Sequence, residues 1–129
     1  MVLEMSYNIL IADDSSTMRK IIFRTVKMAD LPIRFTLFAE NGSEAWEILQ
    51  KERIDLLFLD LNMPEMDGFA LLEKMKDDES LRALPVIIVS AEGCAKRVNK
   101  LREEENVVFI KKPFAPRMIK SAFEELLRV

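Results

Sequence analysis

The sequence predicts an α/β domain of three layers, (βα)5, doubly wound, with a parallel sheet between two layers of helices. Two observations carry this. Four compact apolar runs, at residues 9–12, 56–59, 86–89 and 107–110, are short, mostly branched or aromatic, and bounded by turn or charged residues. That is the pattern of strands covered on both faces. Between them lie segments whose apolar residues recur at helical spacing.

In chain order, the first strand at 9–12 leads to a helix starting at Ser15 or Ser16, a favourable cap, with Met18, Ile21, Ile22 and Thr25 on its inner stripe. A weaker apolar run at 35–38 predicts a second strand. Asn41, followed three residues later by Glu44, reads as a capping pair for a helix that buries Ala45, Trp46 and Leu49. After the strand at 56–59, Asp67 caps a third helix carrying Leu71, Leu72 and Met75. Residues 96–105, after the strand at 86–89, are charged and less amphipathic, and a fourth helix is expected there. The last helix follows the strand at 107–110. Pro116 sits just inside its start, and Ile119, Ala122, Phe123, Leu126 and Leu127 recur at i, i+3, i+4, i+7 and i+8. With 129 residues and no repeat, linker or low-complexity tract, residues 1–129 read as one domain without a separate output module.

Half of the residues are hydrophobic, which suits a single packed core. Nineteen Lys and Arg against 22 Asp and Glu leave a net charge of −3, the wrong sign for a protein that lives on phosphate backbones. No nucleic-acid partner is expected. The first seven residues lack the basic start and apolar stretch of a signal peptide, and the apolar runs fall far short of the ~20 residues that span a bilayer. No membrane association is expected. The single cysteine, Cys94, cannot form an intrachain disulfide, which fits a cytoplasmic location. There is no histidine, which excludes Ser-His-Asp and Cys-His catalysis and histidine-ligated metals. The chemistry falls to carboxylates, hydroxyls and lysine.

Ligands of such sheets bind outside the carboxyl ends of the strands, near the point where strand order reverses. The residues just after the apolar runs are Asp13 and Asp14, Asp60, Ser90, and Lys111 with Lys112. Singly, an Asp after a strand is usually a turn former or cap, and a Lys there is usually solvated. Together they converge on one edge of the sheet. Three carboxylates brought together repel and raise at least one pKa unless a cation sits among them. With oxygen ligands only, Mg²⁺ is the natural ion, because it takes one or two carboxylates, keeps waters, and completes its shell with substrate oxygens. The turn Asn62-Met63-Pro64-Glu65-Met66-Asp67-Gly68 can swing a backbone carbonyl towards that metal. A carboxylate beside Mg²⁺, with an ammonium and a hydroxyl aimed at the same spot, suits an incoming phosphoryl group. Lys112 and the metal neutralise its oxygens, Ser90 donates a hydrogen bond, and one aspartate attacks phosphorus. Cys94 has no base near it in sequence and reads as an ordinary thiol.

Four motifs, Asp13-Asp14, Leu59-Asp60-Leu61-Asn62-Met63-Pro64-Glu65-Met66-Asp67-Gly68, Val89-Ser90-Ala91-Glu92 and Lys112-Pro113-Phe114, resemble in order and spacing the receiver domains of two-component response regulators. The resemblance runs from about Tyr7 to the end of the chain. The stretch Asp14-Ser15-Ser16-Thr17-Met18-Arg19 and the Asn62-Met63-Pro64 turn look most like stand-alone chemotaxis members of that family.

The resemblance implies a flavodoxin-like sheet of order 2-1-3-4-5 and a Mg²⁺-dependent phosphorylation switch. It implies that Asp60 accepts a phosphoryl group from the phosphohistidine of a sensor histidine kinase or phosphotransfer protein. Asp14, Asp60 and the backbone carbonyl of Asn62 would bind Mg²⁺ directly, with Asp13 holding a metal-bound water. Ser90 and Lys112 would grip the phosphoryl oxygens, and Phe109 would be the switch aromatic, turning inward as the Ser90 hydroxyl moves towards the phosphate. The resemblance further implies a cis Lys112–Pro113 bond, against a base rate of about 5% for X-Pro bonds. Output would be a protein contact through the last two helices and the strand between them, and the chain would be no enzyme beyond its own phosphoryl transfer and dephosphorylation.

Two positions depart from the family pattern. Phe109 lacks a phenolic hydroxyl, so its burial can switch but its ring cannot hydrogen-bond a partner. Glu104-Glu105-Asn106 replaces the usual small Gly-Ala step and makes the output face more acidic. Lys111 should point away from Lys112, to solvent or a partner. Asn62 and Glu92 flank the path of an attacking water. Three alternatives stand against the switch. One is a degenerate receiver acting as a scaffold, though all five site residues are present. Another is an aspartate-nucleophile phosphatase of the haloacid-dehalogenase type, which needs a second Asp where Asn62 stands. The third is an FMN carrier, which needs a phosphate loop where Asp13 and Asp14 stand.

Overall fold

The structure is a computed structural model that describes residues 6–91, 99–101 and 103–127. Its elements are β1 (Tyr7–Ala12), α1 (Ser16–Met28), β2 (Ile33–Ala39), α2 (Gly42–Lys51), β3 (Leu56–Leu59), α3 (Gly68–Lys76), β4 (Val86–Ser90), β5 (Val107–Lys111) and α4 (Pro116–Leu127). All strands are parallel, in the order β2-β1-β3-β4-β5, and this is the doubly wound 2-1-3-4-5 sheet. Among the described residues, no helix is long and apolar enough to cross a membrane.

Alternation along the strands splits the core in two. Leu10, Leu57, Leu59, Val86 and Ile88 face α2 and α3, meeting Ala45, Leu49, Leu71 and Met75. Ile9, Ile11, Phe58, Ile87 and Val89 face α1 and α4, meeting Ile22, Val26, Ile119 and Phe123. Period-two alternation in continuous apolar strands therefore fills both interfaces. Because β2 and β3 flank β1, the chain reverses its winding beside β1, which puts a crevice at the carboxyl ends of β1 and β3.

The caps lie where the sequence places them. Ser15 accepts from Met18 N at 3.1 Å, Asn41 from Glu44 N at 2.8 Å and Asp67 from Ala70 N at 2.8 Å. The Glu44 carboxylate closes the capping pair on Glu40 N at 3.2 Å, not on Asn41 N.

Some expectations are corrected. Ile21 is 40% exposed, because the inner stripe of α1 is centred on Ile22, Thr25 and Val26, which leaves Ile21 on the flank. Trp46 is half-buried, with its outer face covered by Lys74 Nζ 4.8 Å from the ring centroid. Strand β2 is longer than residues 35–38, and the register shift between Tyr7 and Asn8 leaves Arg34 as an extra residue in the edge strand. In the expected helix at 96–105, residues 96–98 and 102 lie outside the described residues. Residues 99–101 are helical, and residues 103–106 form turns. There Asn106 Nδ2 donates to Leu84 O at 2.7 Å, and Lys76 pairs with Glu104 at 3.1 Å.

Candidate phosphoryl and metal site

Backbone ladders extend one residue past the strands and aim the polar groups. Asp13 N donates to Ala39 O at 3.1 Å, Asp60 N to Ala12 O at 3.0 Å, and Lys112 N to Ser90 O at 3.0 Å. Each site residue thus inherits its position from the sheet.

The groups meet at the crevice. Asp13 is 1% exposed; its Oδ1 accepts from Ser15 N at 3.0 Å and its Oδ2 from Lys112 Nζ at 3.2 Å. On Asp60, Oδ1 accepts from Ser90 Oγ at 2.9 Å and from Asn62 N at 3.2 Å. Lys112 Nζ lies 3.6 Å from Asp60 Oδ2, so one ammonium spans two carboxylates. Asp14 is exposed, yet one oxygen from each of Asp13, Asp14 and Asp60 lies within 4.8 Å of the others. Lys111, at the end of β5, is exposed while Lys112 turns inward, and the Lys112–Pro113 bond is cis.

Burial raises the Asp13 carboxyl above its ordinary value, and the Asp60 charge adds to this. The Ser15 N–H and the Lys112 ammonium oppose it. Three carboxylates against one lysine leave an excess of negative charge in a partly buried crevice. A donor set of carboxylate oxygens, with no histidine or thiolate, fits a hard divalent cation such as Mg²⁺. The aspartates could hold such an ion with room for its waters on the exposed Asp14 side.

The turn after Asp60 is held close to the sheet. Gly68 N donates to Leu61 O at 3.0 Å, and a Cβ at Gly68 would stand 2.6 Å from Asp60 O. Asn62 is exposed. Phe109 is half-buried against the α2/α3 core, and on the neighbouring strand Ile88 is its register partner. Glu92 and Cys94 lie outside the described residues.

Sequence reasoning missed three groups here. Arg19 Nη1 donates to Asp13 O at 2.7 Å and its Nη2 lies 3.7 Å from Glu40, which braces the loop after β1. The capping spacing reveals Asn41 only as a cap, yet it also donates to Glu65 Oε2 at 2.7 Å. Gly42 carries the third contact, its N–H donating to Met66 O at 2.9 Å. The Asn-Gly pair one residue past the end of β2 is the available signal.

The chain matches the response regulator receiver domain family over residues 9–124. It is 40% identical over 121 residues to a chemotaxis protein CheY homolog of Campylobacter jejuni, covering 92% of this chain and 91% of that protein. It is 39% identical to chemotaxis protein CheY1 of Helicobacter pylori, covering 92% and 95%. Among solved structures, the signal receiver domain of a signal transduction histidine kinase from Syntrophus aciditrophicus superposes with a TM-score of 0.79 at 31% identity, covering 96% of this chain and 92% of that one. The chemotaxis response regulator CheY4 of Vibrio cholerae shares the fold, with a TM-score of 0.80 at 23% identity and coverage of 95% and 99%. Strand order, the acidic crevice and these likenesses agree: the chain belongs to the response regulator receiver domain family and is CheY-like within it.

Proposed function

We propose that this protein is a phosphorylation-operated signalling switch of a two-component system, with Asp60 as the phosphoryl acceptor and a sensor histidine kinase or phosphotransfer protein as the donor. The observation that carries this reading is the grip on Asp60: Ser90 Oγ 2.9 Å from one carboxylate oxygen and Lys112 Nζ 3.6 Å from the other.

In the transfer, an Asp60 oxygen forms the new O–P bond as the P–N bond to the partner's imidazole breaks. The bonding pair leaves with the imidazole nitrogen, which takes up a proton. Asp14, Asp60 and the Asn62 backbone carbonyl would hold Mg²⁺, with Asp13 supporting a metal-bound water, and the ion would supply positive charge against the phosphoryl oxygens. Lys112 is already placed to accompany it, and the Ser90 hydroxyl shifts its hydrogen bond from Asp60 to a phosphoryl oxygen. Hydrolysis regenerates the carboxylate when water attacks phosphorus and the O–P bond to Asp60 breaks, past the exposed Asn62. The chain thereby catalyses its own transfer and dephosphorylation and acts on no other substrate.

A phosphoryl group of charge near −2 beside Ser90 and Lys112 gives one conformation new charge-assisted bonds. A bias of a few kcal/mol inverts a two-state population. The half-buried Phe109, on the strand next to Ser90, is placed to turn inward in response. One receiver domain then signals by protein contact through β5 and the helices beside it, to a downstream target recognised on that face.

Titrating Mg²⁺ and then beryllofluoride, with Trp46 fluorescence or amide shifts as readout, tests the acceptor. Wild type responds to both, and Asp60→Asn loses the beryllofluoride response; an equal response in the variant overturns the assignment. Identical amide spectra at Ser90 and Phe109 with and without phosphorylation overturn the switch.

A further inference from the structure

The loop at 62–67 has to hold a backbone carbonyl beside Asp60, yet its outer side rests on the amino terminus of α2. Gly42 N donates to Met66 O at 2.9 Å. A Cβ at position 42 would lie 2.1 Å from that same oxygen, so only glycine lets the two backbones come this close. Asn41 uses both ends of its amide. Its Oδ1 accepts from Glu44 N at 2.8 Å and its Nδ2 donates to Glu65 Oε2 at 2.7 Å. These two partners, one a donor and the other an acceptor, determine which end of the amide is which. Glu65 has φ 65°, in the left-handed region that non-glycine residues seldom occupy and that persists where surrounding contacts impose it.

We propose that Asn41 is a positioning residue for the metal and phosphoryl site, latching the 62–67 loop through Glu65 while it caps α2. This rests on the function proposed above. Asn41 touches neither metal nor phosphoryl group. It fixes the strained Glu65, and with it the path of the backbone that presents Asn62.

Substitutions at the two positions separate the latch from the cap. Asn41→Asp keeps the cap, since Asp caps as well as Asn, but sets a carboxylate against the Glu65 carboxylate. The thermal midpoint stays near wild type while Mg²⁺ affinity falls by about tenfold, the scale of outer-shell support in metal sites. The added negative charge alone would strengthen cation binding, so a loss points to geometry. The double variant Asn41→Asp/Glu65→Gln restores a donor–acceptor pair with reversed polarity and recovers the affinity. Glu65→Asn accepts the left-handed backbone but is too short to reach Asn41, so it is at least as stable as wild type and binds Mg²⁺ several-fold more weakly. A role confined to folding cannot lower affinity while stability holds.

Mg²⁺ titrations followed by Trp46 fluorescence, with thermal unfolding of each variant, read out all of these. Wild-type affinity in Asn41→Asp or in Glu65→Asn overturns the latch, as does a double variant no better than Asn41→Asp. Absence of Mg²⁺ binding in wild type overturns the proposed function instead.

Discussion

Strand β1 buries a polar side chain at each end, and the two ends are closed in opposite ways. At the amino end Asn8 is 6% exposed. Its N–H donates to Asp55 Oδ2 at 2.8 Å and its Nδ2 to Arg53 O at 2.9 Å, while its Oδ1 is buried with no partner among the described residues. At the carboxyl end, Asp13 is met by a lysine 99 positions away in sequence and still faces Asp14 and Asp60. A neutral amide can be largely satisfied by the adjacent backbone, and its leftover acceptor costs about 1–3 kcal/mol. Clustered carboxylates cannot be closed that way, because no nearby peptide group carries a full positive charge. The amino end is architecture, whereas the carboxyl end keeps a charge imbalance that a bound cation would relieve.

The largest effect that sharpens this contrast is on phosphorylation. Asp60→Asn abolishes incorporation of phosphoryl groups from an acyl phosphate, read by intact mass, whereas Asn8→Ala, at the opposite end of β1, keeps the wild-type rate. Equal loss of phosphorylation in both variants would break the contrast. Next, Lys112→Ala lowers the phosphorylation rate by about 10²–10³, as expected when one preorganised donor to developing charge is removed. The same variant binds Mg²⁺ more tightly, since a competing cation has left the carboxylates, and isothermal titration measures that change.

A smaller effect follows from the Asp13 carboxyl, which burial holds above 3.8. The folded state holds this proton more tightly than the unfolded chain does. The associated stability is therefore complete below pH 3.8 and is lost as pH rises through the folded-state value. Metal-free wild type accordingly loses thermal stability relative to Asp13→Asn as pH rises above 3.8, and Mg²⁺ narrows the gap. The smallest expected effect lies away from both ends: Asp30, at φ 56° just past α1, becomes Gly with a gain of about 0.5–1 kcal/mol and no change in phosphorylation.

Much of the fold was legible because the inner strands are buried on both faces, so β3 and β4 read as Leu-Leu-Phe-Leu and Val-Ile-Ile-Val. The edge strand was harder to bound. Phe35 and Phe38 are 36% and 41% exposed, and the extra residue at Arg34 breaks the alternation on which a strand is recognised. Ile21 was misplaced for a related reason: a helix with apolar residues at 18, 21, 22, 23 and 26 offers two adjacent stripes, and only packing on the sheet chooses between them. At the site, Asp13, Asp60, Ser90 and Lys112 could be singled out from sequence since each follows or ends an apolar run. The Asn41–Glu65 contact could not, because two polar surface residues 24 positions apart leave no periodic trace.

The amino-acid order by itself determined the alternation of strands and helices, the three capped helix starts, and which polar residues stand at the strand ends, since all of these depend on neighbours a few positions away. Only the tertiary structure decided that Lys112 spans Asp13 and Asp60, that Ser90 donates to Asp60, and that α2 holds the loop after β3. Those are meetings of distant segments, brought together by the winding of the sheet about β1 and fixed by hydrogen bonds and charge that act only at contact distance.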